Sequence, residues 1–148
     1  MFRRIAEYYE EGRGPQCNYQ LAVDVGCGNG QATLPLAEHF HRVIGCDISI
    51  QQISHAPRDV DRVEFKVSPS EHLLFLEANS VDLLTAANAL YFFDQDLFYK
   101  EATRVLKPGG VLAIYTYVFD MFDNAEGQTL FNDVSACRST TVYLALIS

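Results

Sequence analysis

Five short apolar runs, each separated from the next by a segment of helical periodicity, set the tightest limit on how this chain folds. They are Leu21–Val25, Arg42–Cys46, Val63–Val67, Val81–Ala86 and Val111–Tyr117. Several are continuous rather than alternating, the pattern of strands buried on both faces. Strands joined through helices pair in parallel, so the order predicts a doubly wound α/β sheet of about five strands with helices on both faces. Predicted helices cover Phe2–Glu11, Gln31–Phe40, Ser49–Ala56, Glu71–Ala78 and Asp94–Leu106. Their ends carry Gly12 to Pro15, Pro57, Ser70 as an N-cap, and the Lys107-Pro108-Gly109-Gly110 stop.

A chain of 148 residues is one domain by length, and its 49% hydrophobic and 20% charged composition is that of a folded globular protein. The net charge of −8 opposes phosphate backbones and anionic lipid surfaces, so neither a nucleic acid nor a membrane is an expected partner. The N-terminus MFRRIAEYYEEGRG lacks an apolar signal core, and the expected address is cytoplasmic. Cys17, Cys27, Cys46 and Cys137 show no CxxC spacing and read as free thiols. His39 and His41 have no partner at ligand spacing, so no metal site is expected.

In a doubly wound sheet the ligand crevice lies at the carboxyl ends of the strands, where the strand order reverses. At the end of the first run the sequence reads LAVDVGCGNGQATL, with Gly26, Gly28 and Gly30 at alternate positions behind Asp24. A tight strand-to-helix turn needs one or two glycines; three leave backbone open to a ligand. A dinucleotide fingerprint G-x-G-x-x-G would place its third glycine at residue 31, which is Gln31. Asp47, ending the second run, can accept hydrogen bonds from both hydroxyls of a ribose. The combination predicts a nucleoside without a pyrophosphate over the glycines.

LAVDVGCGNGQATLPLA resembles the first motif of the class I S-adenosylmethionine-dependent methyltransferases. VIGCDIS, VDLLTAANALYFFD and RVLKPGGVLAIYTY are similar to that family's later motifs, in order, over residues 18–118. Among these the sequence most resembles the type 11 small-molecule enzymes, including trans-aconitate methyltransferase-like proteins. The resemblance implies a Rossmann-like domain at 1–118, a C-terminal segment at 119–148, and S-adenosyl-L-methionine as cofactor. It places Gly26, Cys27, Gly28 and Gly30 under the methionine moiety, with Asp24 organising its ammonium. Asp47 would hold the ribose and Ile48 an adenine face, with Ser70 and Glu71 at the adenine edge and Ala86 to Asn88 closing the methionine side. The family's G-D-A-E loop is Ser68-Pro69-Ser70-Glu71 here, and Ser70 with Glu71 also reads as a plain helix start.

Methyl transfer from a sulfonium needs alignment and dryness more than a dedicated base, and a carboxylate acceptor needs no base at all. The acceptor implied is a small molecule, with a carboxylate among the candidates. Tyr8, Tyr9 and Tyr91 are the residues placed nearest the reacting methyl; Tyr91-Phe92-Phe93 also reads as packing for the helix that follows. The family continues beyond its fifth strand with a helix and an antiparallel pair, whereas Gly127–Cys137 and Thr140–Ile147 offer one helix and one strand. The C-terminal strands are therefore expected to be reduced or missing, leaving an open edge beside the fifth strand through which two copies pair or aggregate. Two other functions compete: a cofactor-binding, non-catalytic module that regulates a partner, and a nicotinamide-dependent oxidoreductase, which Gln31 and the Lys-Pro-Gly-Gly segment oppose.

Overall fold

A computed structural model of the protein describes residues 19–117 and 140–146. Its strands are β1 Leu21–Val25, β2 Arg42–Asp47, β3 Val63–Val67, β4 Val81–Ala87, β5 Leu106–Tyr117 and β6 Thr140–Leu146. They form one sheet in the order β3-β2-β1-β4-β5-β6. The first five pair in parallel, as the apolar runs predict, and β6 is antiparallel to β5. The order reverses beside β1, so a crevice opens at the carboxyl ends of β1, β2 and β4.

Both faces of the sheet are buried. On one face Val23, Val25, Ile44, Leu84 and Ala86 meet Phe98, Ala102 and Val105 of helix α2 (Gln95–Val105) together with Leu73 and Leu76. On the other, Ala22, Val43, Leu83, Ala113 and Tyr115 pack with Leu36 and Phe40. Asp94 caps α2 by accepting from the Leu97 amide at 3.2 Å. Ser49 caps the short helix α1, Ile50–Ser54, in the same way.

Three predicted elements differ. The helix expected over Gln31–Phe40 is a turn followed by a 3-10 helix at Leu34–Glu38. Pro35 has no amide to give, and the Thr33 hydroxyl that stands at the cap position donates to Asp24 instead. The helix expected over Glu71–Ala78 is a series of turns. Its backbone groups bond to α2: the Leu73 amide donates to Glu101, and Arg104 donates to the carbonyls of Leu73 and Leu76. The Lys-Pro-Gly-Gly segment, expected as a helix stop before the fifth strand, lies inside β5 as a bulge. Leu106 faces Val81 while Val111 faces Leu83, and Gly109 takes up the kink with a φ of +72°.

The open edge expected beside the fifth strand is absent, because β6 pairs along β5 from Val111↔Leu146 to Tyr117↔Thr140. The outermost strand on that side of the described sheet is β6 itself. β6 also shares the sheet of residues 21–117, so the segment expected as a C-terminal tail contributes to the same layer. The helices expected at Phe2–Glu11 and Gly127–Cys137 lie outside the described residues.

Candidate functional site

β1 ends in Val25 and runs into a loop that takes three left-handed steps, with φ of +64° at Gly26, +56° at Gly28 and +90° at Gly30. The loop leans on the end of β2, since the Cys27 amide donates to the Cys46 carbonyl at 3.0 Å. The three glycines serve different neighbours. A Cβ on Gly26 would lie 2.4 Å from the Ala89 Cβ, and one on Gly30 would lie 2.5 Å from the Phe65 ring. A Cβ on Gly28 would meet only the Gln52 side chain at 3.7 Å, so the space above this one glycine is open.

Two carboxylates are fixed around this loop. Asp47 accepts from the Gly28 amide at 2.9 Å through Oδ2 and from the Ser49 amide at 2.8 Å through Oδ1. A carboxylate offers about four acceptor positions, so each oxygen keeps capacity for another donor. Asp24 is fully buried behind the loop and accepts from the hydroxyls of Thr33 and Thr85, each at 2.7 Å. Burial pushes its carboxyl up to about 6 against the opposing pull of the two hydroxyls, and the Asp47 charge adds to the rise. Cys27 and Cys46 are free, buried thiols. Burial, then the Asp24 and Asp47 carboxylates, push the Cys27 thiol up to about 12, and burial raises Cys46 as well. Neither is a nucleophile at neutral pH.

Above the loop lies a cleft of about 330 Å³. Of the residues the sequence assigns to a cofactor, Gly26, Asp47, Ile48, Ser70, Glu71 and Asn88 line it. Gly28 does not line it but donates its amide to the lining residue Asp47, while Asp24, Cys27, Gly30 and Ala86 are buried. Glu71 is also a brace, since its Oε1 accepts the Asp94 amide at 2.9 Å. Ser70 is buried on the same wall. Asn88, with a φ of +52°, turns the chain out of β4 while its amide donates to the Tyr115 carbonyl. Tyr91 stands exposed next to the lining residue Phe92; Tyr8 and Tyr9 lie outside the described residues.

Several residues that build the site were not singled out from sequence. Thr85 is the one hydroxyl in β4, and a polar side chain amid a run of apolar ones was the signal it gave. Thr33 and Phe65 gave none, because their partners are remote in sequence. Asp82 accepts from the amides of Gln20 and Leu21 and from Lys107 Nζ at 2.8 Å, so the lysine of Lys-Pro-Gly-Gly ties β5 to the start of β1. Among the described residues no group of three His, Cys, Asp or Glu is placed to hold a metal ion, and no helix is long and apolar enough to cross a membrane.

The cleft suits a nucleoside carrying a flexible, positively charged arm. Asp47 has acceptor capacity for a diol, Gly26 brings the glycine loop to the cleft wall, and Asp47 and Glu71 make the walls acidic. Comparison with known proteins agrees. A protein of Dictyostelium discoideum that carries a methyltransferase name is 43% identical over 97 residues, which span 66% of this chain and 36% of that protein. A solved structure described as a type II methyltransferase, from Anaeromyxobacter dehalogenans, superposes with a TM-score of 0.71 at 37% identity, over 88% of this chain and 53% of the other. The [4+2]-cyclase SpnF shares the fold with a TM-score of 0.63 at 28% identity, over 80% of this chain and 46% of its own. The chain thus spans about half or less of the length of these relatives. Residues 23–114 match the family described as "Methyltransferase domain", and with the sheet order, the glycine loop and the acidic cleft this chain belongs to that family, within the class I S-adenosylmethionine-dependent methyltransferases.

Proposed function

We propose that the chain binds S-adenosyl-L-methionine in this cleft and transfers its methyl group to a small-molecule acceptor. The observation that carries the reading is the pairing of Asp47, with acceptor capacity on both oxygens, and the uncovered Gly28 beside it. Asp47 would take the ribose hydroxyls, Ile48 would cover one adenine face, and Ser70 and Glu71 would border the adenine edge. Gly26, Cys27, Gly28 and Gly30 would carry the methionine arm, with Asn88 closing over it and Ala86 supporting the wall. Asp24, one layer behind, would bias the loop toward the arm's ammonium. The bound cofactor supplies an already activated methyl, so the protein's task is to align the acceptor and exclude water. Tyr91, and Tyr8 and Tyr9 from the N-terminal segment, would wall the reacting methyl.

The trans-aconitate-like subtype, with its carboxylate acceptor, is the finer form of this reading; no lysine, arginine or histidine lines the described cleft to support it. A cytoplasmic address, no nucleic-acid or membrane partner, and pairing of two copies through the outer edge of β6 complete the proposal. The fold also occurs in a protein named a [4+2]-cyclase and so does not by itself entail methyl transfer, which favours keeping a second reading, a cofactor-binding, non-catalytic module that regulates a partner.

Thermal melts with S-adenosylmethionine, S-adenosylhomocysteine and NAD test the first step. A ligand at 100 times its Kd adds about 2.7 kcal/mol to apparent stability. The two sulfur ligands should raise the midpoint and NAD should not; no shift with either sulfur ligand overturns the reading. Asp47→Ala should weaken S-adenosylhomocysteine by about 1.5–3 kcal/mol, measured by calorimetry. Labelled methyl groups that never leave the cofactor in any metabolite pool would favour the second reading.

A further inference from the structure

Resting on that reading, we infer that the methyl acceptor is a neutral aromatic molecule, seated against Tyr91 and Phe92 at the β4 side of the cleft. The turn after β4 divides its own apolar side chains between two tasks. Leu90 and Phe93 pack against the core, with the Phe93 ring 5.0 Å from Phe98 of α2, and Ala89 sits on Gly26. These contacts anchor the 3-10 turn Leu90–Phe92 on both sides. Tyr91 and Phe92 take no part in them: they are 74% and 87% exposed, and Phe92 lines the cleft. Two adjacent aromatic side chains held in water by a well-packed turn, at the mouth of a ligand cleft, form a surface that an apolar ring would cover.

Charge decides which ring. The ionisable side chains on the cleft wall are Asp47 and Glu71, with Asp24 buried behind them and Asp94 next to Glu71. Among the described residues, no lysine, arginine or histidine lines the cleft. Among the described cations, Arg104 is paired with Glu101, Lys107 with Asp82, both Arg42 and Lys66 with Glu64, and Arg62 with Asp61; neither these nor Arg58 and Lys100 line the cleft. An acidic wall complements the positive cofactor, and an anionic acceptor would enter against it with no cation among the described lining residues to meet its charge. A neutral ring meets the aromatic rim without that opposition.

The test uses the full chain saturated with S-adenosylhomocysteine and acceptor analogues matched in shape but not in charge. Suitable pairs are methyl 4-hydroxybenzoate with 4-hydroxybenzoate, and trimethyl trans-aconitate with trans-aconitate. Binding is followed by calorimetry and saturation-transfer NMR. The neutral aromatic member should bind at least tenfold tighter than its carboxylate and tighter than both aliphatic compounds. Tyr91→Ala should weaken it about tenfold and leave S-adenosylhomocysteine within twofold, and Phe92→Ala should weaken the aromatic ester about tenfold and by more than it weakens S-adenosylhomocysteine. The inference is overturned if a carboxylate binds as well as its ester, if both variants bind the aromatic ester unchanged, or if no analogue binds while S-adenosylhomocysteine does. It is also overturned if light scattering shows a dimer that Phe92→Ala dissociates, since a second copy then covers the rim. Failure of S-adenosylhomocysteine itself to bind removes the underlying cofactor reading as well.

Discussion

Replacing Asp24 with asparagine separates what the buried carboxylate does for folding from what it does for the ligand. Burial raises its pKa from 3.8 to about 6, so the folded state holds the proton more tightly than the unfolded one. Its contribution to stability is therefore fully present below pH 3.8 and is lost as pH rises to about 6, a change of about 3 kcal/mol. Ligand-free Asp24→Asn should lack that slope and melt higher than wild type at pH 8, while the two converge toward pH 4. A constant offset across melts at pH 4, 5, 6 and 8 would show that Asp24 does not titrate there. On the cofactor reading, wild-type affinity for S-adenosylhomocysteine should fall as pH drops through 6, because the protonated acid no longer faces the ammonium. The glycines separate in the same way. Gly30→Ala meets the Phe65 ring and a φ of +90°, and should cost about 2–4 kcal/mol of stability. Gly28→Ala meets open space and should cost about 1 kcal/mol from its left-handed backbone, yet lose most of its ligand affinity. Chemical denaturation and calorimetry on both variants check the crossover. That Asp47 lines the cleft is legible in the sequence because it ends a strand at the crevice. The sequence did not disclose that Gly26 and Gly30 admit Ala89 and Phe65, partners that only the folded sheet brings near.

At the scale of elements, the five parallel strands were legible because burial on both faces leaves continuous apolar runs, and β3 has the predicted limits, Val63–Val67. The segment 71–78 was not. Leu73 and Leu76 carry a helical spacing and Ser70 looks like a cap, but Glu101 and Arg104 of α2 supply the backbone partners that a helix would have supplied from within. Local periodicity cannot reveal a hydrogen-bond partner some thirty residues away. The Lys-Pro-Gly-Gly bulge is a second case, where a stop signal sits inside a strand because Lys107 is held by Asp82. That contact is unequal. The Asp82 side chain is 10% exposed and takes two amides besides the lysine, whereas the Lys107 side chain is 33% exposed and can turn to water. Asp82→Ala should cost about 2–4 kcal/mol and Lys107→Ala about 1 kcal/mol, read from urea midpoints. Equal losses would mean that the ion pair, rather than the amide anchorage of β1, carries the stability.

For the whole molecule, the strand order follows from the alternation of strands and helices, and the crevice follows from the reversal beside β1. The last strand is legible as well, since Thr140–Ile147 reads as a strand and β6 spans Thr140–Leu146; its antiparallel place beside β5 is not, because it lies well beyond the alternating part of the chain. The proposed pairing of two copies would run through β6, a seven-residue strand without charge or proline. Light scattering should show a mass that rises toward twice that of one chain with concentration; a clean monomer at high concentration would remove the dimer. The other side of the sheet carries a different legacy. One ring, Phe65, fills the space over Gly30 of the loop and over Gly45 of β2, where an added Cβ would lie 2.5 Å and 2.8 Å from it. In evolutionary terms the three positions are linked: a lineage that keeps phenylalanine at 65 keeps both glycines, and one that shrinks it relieves the ring contact at both while Gly30 stays bound by its φ of +90°. Drift at β3, an edge strand outside the cleft lining, is thereby answerable to the loop that holds the ligand.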